Sequence, residues 1–142
     1  MTSSPPGFQV PYPFPPIRVH ARTRISSSRQ PGNVVKAAVV GDRGVAVRDV
    51  PQPAPAPNEV LIRVRASSLN RADLIVASGQ PHGKLFGTGS RLGLECAGEV
   101  EAVGSEVADL KAGDRVTASA PGGFAEYAVT DWAECIVFPL II

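Results

Sequence analysis

From Val35 onward, apolar and polar positions alternate in short runs separated by turn-forming residues, and each run predicts one strand. Residues 35–40 are apolar and β-branched, Gly41-Asp42-Arg43-Gly44 supplies a turn, and in 45–50 Val45 and Val47 alternate with Ala46 and Arg48. Pro51, Pro53, Pro55 and Pro57 then take every second position, which predicts a stiff extended connector unable to donate ladder hydrogen bonds. The clearest strand is 59–66, with Val60, Ile62, Val64 and Ala66 pointing one way and Arg63 and Arg65 the other. One short helix is expected, with Asn70 as N-cap, Asp73 in its first turn, and an end near Ser78 followed by Gly79. Residues 79–92 hold four glycines and a proline and read as a loop. Strands at 94–103, 115–119, 124–130 and 135–138 follow, with a turn at Lys111-Ala112-Gly113-Asp114. Many short strands and one brief helix predict a mainly β domain, a small barrel or sandwich.

Residues 1–34 break this pattern. Residues 1–33 contain seven prolines and scattered serines and no acid, too little apolar surface to offset the entropy of ordering, so a disordered Pro/Arg/Ser-rich extension is expected. Three readings of it stand open. It is Arg- and Ser-rich like an organellar transit peptide, although its prolines oppose an amphipathic helix. It could serve as a proline-rich docking segment, although no clean P-x-x-P with a flanking base stands out. Or it is a non-native extension, the folded part starting at Val35 itself, since Met1 is the sole methionine.

The chain of 142 residues has room for one ordinary domain. No apolar run is long enough for a membrane helix, so no membrane partner is expected. Two cysteines, Cys96 and Cys135, do not make a disulfide framework, which suits a reducing, cytoplasmic setting. The net charge of +1 is uneven: every acid lies at or beyond Asp42, while four arginines precede Val35. The remainder is mildly acidic, and a nucleic-acid partner is not expected.

The glycines of 87–93 follow a G-x-G-x-x-x-G spacing with no strand before and no helix after, so they cannot aim a helix N-terminus at a pyrophosphate. No P-loop or nucleophile-elbow motif occurs. Four other segments occur in order: RVRASSLNRADL (63–74), LGLECAGEVEAVGSEV (92–107), KAGDRV (111–116) and PGGFAEYAV (121–129). Together they resemble the N-terminal GroES-like domain of medium-chain dehydrogenases/reductases, specifically the zinc-free quinone oxidoreductase branch, over residues 35–142. The resemblance implies a GroES-like small barrel that lacks the Rossmann domain following it in that family. The terminal Leu140-Ile141-Ile142 reads as a cut or a frameshift.

The resemblance also bears on chemistry. Zinc-using relatives present a cysteine where this chain has Asn70, and Gly-His-Glu where it has Gly93-Leu94-Glu95. Asparagine and leucine are not zinc ligands, so no metal site is expected. His20 lies in the extension and His82 stands alone in the loop. The implied reaction is hydride transfer from NADPH to a quinone or an activated enone, whose developing oxygen charge needs hydrogen-bond donors or a proton source. Asn70 is the implied catalytic and cofactor-binding residue, near the nicotinamide end, with its helix N-cap role as the competing account. Asp73 is a second catalytic candidate, its competing role being that of a first-turn acid. Glu95, between Leu94 and Cys96, is expected to be buried against a backbone or arginine partner, with a shifted pKa. Tyr127 is expected to pack a barrel face and Cys96 to fill the core. The rival to an oxidoreductase fragment is a stand-alone, non-catalytic binding module or an inactive relic. Self-association is left open by the sequence.

Overall fold

The computed structural model describes residues 32–80 and 89–138. The expectations for the N-terminal extension, for His82 and most of its loop, and for the terminal Leu-Ile-Ile lie outside these residues. Seven strands and one helix follow in chain order: β1 (Val34–Gly41), β2 (Gly44–Pro51), β3 (Glu59–Ser67), α1 (Arg71–Ala77), β4 (Glu95–Val103), β5 (Arg115–Ser119), β6 (Tyr127–Asp131) and β7 (Cys135–Val137). A single 3-10 turn at Trp132–Glu134 precedes β7. The chain is mainly β with one short helix, as its alternation predicts.

Five strands form a curled antiparallel sheet in the order β6-β3-β4-β5-β7, and β1 and β2 form a separate hairpin. The hairpin closes on the main sheet through β1. Ala38 N–H donates to the Phe124 carbonyl (2.8 Å) and Glu126 N–H to the Lys36 carbonyl (3.0 Å), while isolated bridges join Ala37 to Ala125 and Val39 to Arg91. Residues 36, 38 and 40 of β1 thus direct their main-chain groups away from β2, and residues 35, 37 and 39 toward it.

The principal core lies inside the curl and gathers Val60, Ile62, Cys96, Val100, Val116 and Ala118. Val60 and Ile62 are fully buried, as the alternation in β3 predicts. Leu61, on the other face, is buried as well, packing with Val35 and Tyr127 in a second cluster. Two-sided burial follows from the hairpin covering the outer face of β3, an arrangement that no period of two within β3 encodes. Farther along, Ala66 is exposed and only Val64 still touches the core, so the apolar face fades toward the strand's end. Arg63 and Arg65 pair instead across β4, with Glu99 and Glu101 at 3.2–3.6 Å.

β2 departs further from its pattern. Val45 and Val47 alternate as a buried face would, yet nearly all of the strand is exposed, Val47 to 71%. Nothing among the described residues pairs with its outer edge.

Both cysteines are free thiols. Burial pushes the Cys96 thiol from its ordinary 9.0 up to about 11. Cys135 also rises to about 11, through burial and the nearby Asp131 and Glu134. Two units mean roughly a hundredfold less thiolate at a given pH. Alkylation of Cys96 by iodoacetamide at pH 8, followed by mass spectrometry, is therefore expected to run about 100-fold slower in the folded chain than in urea. Equal rates in both states would remove Cys96 from the core.

Candidate functional site

The end of β3 and the start of β4 build one corner of the sheet. Ser67 pairs with Cys96, after a register shift between Val64 and Ala66 that re-aims the last residues of β3. Ser67 Oγ donates to the Gly123 carbonyl at 2.8 Å and ties the corner to the 120–124 segment. That segment is fixed in turn by Ala120 N–H to the Leu94 carbonyl and Gly122 N–H to the Gly93 carbonyl, both 2.8 Å. Gly93 is required here: its φ is +104°, and a Cβ would meet Phe124 N at 2.5 Å. These bonds hold Glu95 opposite the chain as it passes through Ser68, Leu69 and Asn70 into α1.

A small polar cluster results. Ser68 Oγ donates to Glu95 Oε2 at 2.6 Å. Asn70 Nδ2 donates to Ser68 Oγ at 3.1 Å and reaches the same Glu95 oxygen at 3.4 Å. On its other side Asn70 begins α1: Asp73 Oδ2 accepts the Asn70 backbone N–H at 2.7 Å, and Asp73 N–H donates to the Asn70 main-chain carbonyl at 3.0 Å. Asp73 is only 4% exposed, and its Oδ1 has no partner among the described residues. Leu69 and Leu74 flank the cluster, exposed to 88% and 70%.

The expected burial of Glu95 is corrected. Cys96 takes the inward position of β4, which leaves Glu95 on the outward face, exposed and served by Ser68 and Asn70 rather than by backbone or arginine. Its carboxyl is held below its ordinary 4.5, first by the Ser68 hydroxyl and then by the Asn70 amide, while partial desolvation works against them.

Asn70, Asp73 and Glu95 are therefore brought together. Ser68 joins them unannounced by the sequence, where only a small hydroxyl residue two positions before a helix N-cap hints at it. Tyr127 packs with Val35 and Leu61, and Cys96 sits in the principal core, both away from this cluster. An open, largely apolar groove of about 450 Å³ is lined by Ala38 of β1, Val47 of β2, Val64 and Ser67 of β3, and Phe124. Among the described residues, no three His, Cys, Asp or Glu side chains group to hold a metal ion, and no helix is long and apolar enough to cross a membrane.

Residues 56–140 match the model of the alcohol dehydrogenase GroES-like domain. The chain is 43% identical over 83 residues to a quinone oxidoreductase of Sus scrofa, covering 57% of this chain and 25% of that protein. It is 46% identical over 92 residues to a quinone oxidoreductase of Pseudomonas aeruginosa, covering 65% and 27%. A mycobacterial protein complexed with NADPH superposes with a TM-score of 0.66 at 31% identity, over 76% of this chain and 35% of that one. The chain thus spans about a quarter of the length of these two quinone oxidoreductases.

Proposed function

Because the chain belongs to the alcohol dehydrogenase GroES-like domain family, with quinone oxidoreductases of the medium-chain dehydrogenase/reductase superfamily as relatives, we propose that it forms the barrel side of a zinc-independent site where hydride passes from NADPH to a quinone or an enone. The observation that carries this reading is the Ser68–Asn70–Glu95 cluster at an exposed corner, in which Asn70 stands where the resemblance puts the cysteine of zinc-using relatives and Glu95 directly follows Leu94, at the place of their histidine.

The residues fit one end of such a cofactor. An amide, a hydroxyl and an exposed carboxylate suit a carboxamide and ribose hydroxyls, and the exposed Leu69 beside them suits the face of a ring. Among the described residues no basic side chain contributes to the Glu95 shift. Among the described residues there is no strand–glycine turn–helix unit for a pyrophosphate, so the chain is proposed to hold the nicotinamide end alone. When bound, the nicotinamide supplies the hydride. Asn70 is the residue that touches it and orients it. Asp73 acts through Asn70, its carboxylate fixing the Asn70 backbone at the start of α1.

Titration of the whole chain with NADPH to millimolar concentration, followed by backbone and side-chain NMR signals, tests this. Saturable shifts at Ser68, Asn70 and Glu95 are expected. Asn70→Ala should weaken binding about tenfold, close to the worth of one hydrogen bond in a partly exposed site. Absence of shifts around the cluster overturns the reading, and a cofactor-blind oligomer would replace it with a binding module that uses the exposed Leu69 and Leu74.

A further inference from the structure

The same cluster carries one step more, which rests on the reading above: we propose that Glu95 and Ser68 are positioning residues that set the facing of the Asn70 carboxamide, so that Asn70 offers a ligand its carbonyl oxygen and the site selects a hydrogen-bond donor.

The direction of every bond in the cluster follows from what each group is able to give. An ionised carboxylate only accepts, so the end of Asn70 that faces Glu95 must be its nitrogen. The hydroxyl hydrogen of Ser68 goes to Glu95 at 2.6 Å, the shortest contact of the three, which leaves Ser68 Oγ to accept from Asn70 at 3.1 Å. Polarity then runs one way, from amide to hydroxyl to carboxylate, with the Asn70 amide nitrogen directed at Ser68 Oγ and Glu95 Oε2 together. Turning the amide over would set its carbonyl oxygen against a carboxylate and a hydroxyl oxygen that has no hydrogen left to give. The main chain cannot swing to allow it, since Asp73 Oδ2 holds the Asn70 N–H from the helix side. On the helix side the Asn70 carboxamide oxygen faces the Asp73 N–H in a capping box, that N–H also being served by the Asn70 main-chain carbonyl, and with two lone pairs the oxygen retains capacity for a ligand. Two donors on a nicotinamide nucleotide match that oxygen: the carboxamide NH₂ and a ribose hydroxyl.

Other charges do not set the facing. Asp73, the second carboxylate touching Asn70, meets its backbone rather than its amide, and the β5 partner of Glu95 is the uncharged Ser119. The pull of Ser68 and Asn70 on the Glu95 carboxyl agrees with an ionised acceptor at neutral pH.

The test uses the whole ¹⁵N-labelled chain and the side-chain amide signals of Asn70. Glu95→Gln and Ser68→Ala are expected to move these signals while leaving the backbone spectrum of the β4–β5 ladder in place, and Glu95→Asp should restore them in part. Nicotinamide mononucleotide and nicotinic acid mononucleotide, which differ only in carboxamide against carboxylate, are then compared as ligands. Preference for the former by about tenfold or more, lost to within about twofold in Glu95→Gln, assigns the recognised donor to the carboxamide. Equal binding by both, weakened alike in Glu95→Gln, assigns it to a ribose hydroxyl. If neither nucleotide perturbs the cluster although Glu95→Gln moves the amide signals, the cofactor reading fails and the positioning stands. Asn70 amide signals unchanged in Glu95→Gln overturn the positioning, whatever binds.

Discussion

Replacing Gly98 by valine is expected to abolish folding of the chain. Gly98 lies on β4 opposite Val64 of β3 and Val116 of β5, beside the register shift between Val64 and Ala66. A Cβ built there collides with the Arg63 carbonyl oxygen and comes within 2.9 Å of the Arg63 carbonyl carbon and 3.0 Å of Ile62 Cγ2. The first two are main-chain atoms of a strand paired on both sides, so they cannot rotate out of the way as a flexible side chain would. Even alanine forces β3 and β4 apart, at a cost of about 3 kcal/mol or more, and the branched valine adds volume to a close-packed interior. Ordinary domains hold only about 5–15 kcal/mol of stability in total. Soluble yield and circular dichroism should show Gly98→Ala strongly destabilised and Gly98→Val unfolded. Gly41→Ala is the control, because its added Cβ meets nothing closer than 3.5 Å, and it should stay within about 0.5 kcal/mol of the parent. A folded Gly98→Val chain with a melting point near the parent's would show that β3 and β4 do not approach as described.

Ile62→Ala should give the largest loss that leaves the fold intact. Ile62 is fully buried in the principal core, with Val60, Cys96, Val100 and Val116 in the same cluster. Truncation removes three carbons and leaves a cavity that strands paired on both sides of β3 cannot close. The expected cost is about 3 kcal/mol, within the usual range of about 2–5 kcal/mol for such changes. For a domain of this size that lowers the melting midpoint by roughly 12–24 °C. Ile62→Val, with one methyl removed, should cost only about 1 kcal/mol. Urea denaturation with unchanged slope reads both values; a loss under about 1 kcal/mol for the alanine variant would place Ile62 outside the packed interior.

What was legible in the sequence is what depends on neighbours along the chain. The β3 face formed by Val60 and Ile62 follows from alternation, and α1 from Asn70 and Asp73 around Arg71 with Gly79 beyond. The hairpin turn at 42–43 and the turn before β5 follow from their glycines and aspartates. Illegible were the features decided by which surface happens to lie opposite. Leu61 is buried because the β1–β2 hairpin covers the outer face of β3, whereas Val45 and Val47 show the same alternation and remain exposed because nothing among the described residues covers β2. Glu95 reads as buried from Leu94 and Cys96, yet strand geometry sends it outward, and its partner Ser68 sits 27 positions earlier in the chain. The site was thus half visible: Asn70, Asp73 and Glu95 through a family resemblance, Ser68 only once β3 and β4 were laid side by side.

The pairing of β3 also governs how the chain reaches its fold. β1 and β2 are joined by two residues and can zip as soon as both exist, a local event on the microsecond scale. β3 cannot follow so soon: on one edge Val60 waits for Val103, and on the other Glu59 waits for Asp131. Loop closure over such separations precedes any gain from pairing, which places this topology among slow folders, on a scale of about milliseconds to seconds. During synthesis, at about 5–20 residues per second, Val60, Leu61 and Ile62 leave the ribosome several seconds before Asp131 is made. Through that interval the buried run 60–62 of β3 has neither ladder, and it is an apolar segment open to a chaperone.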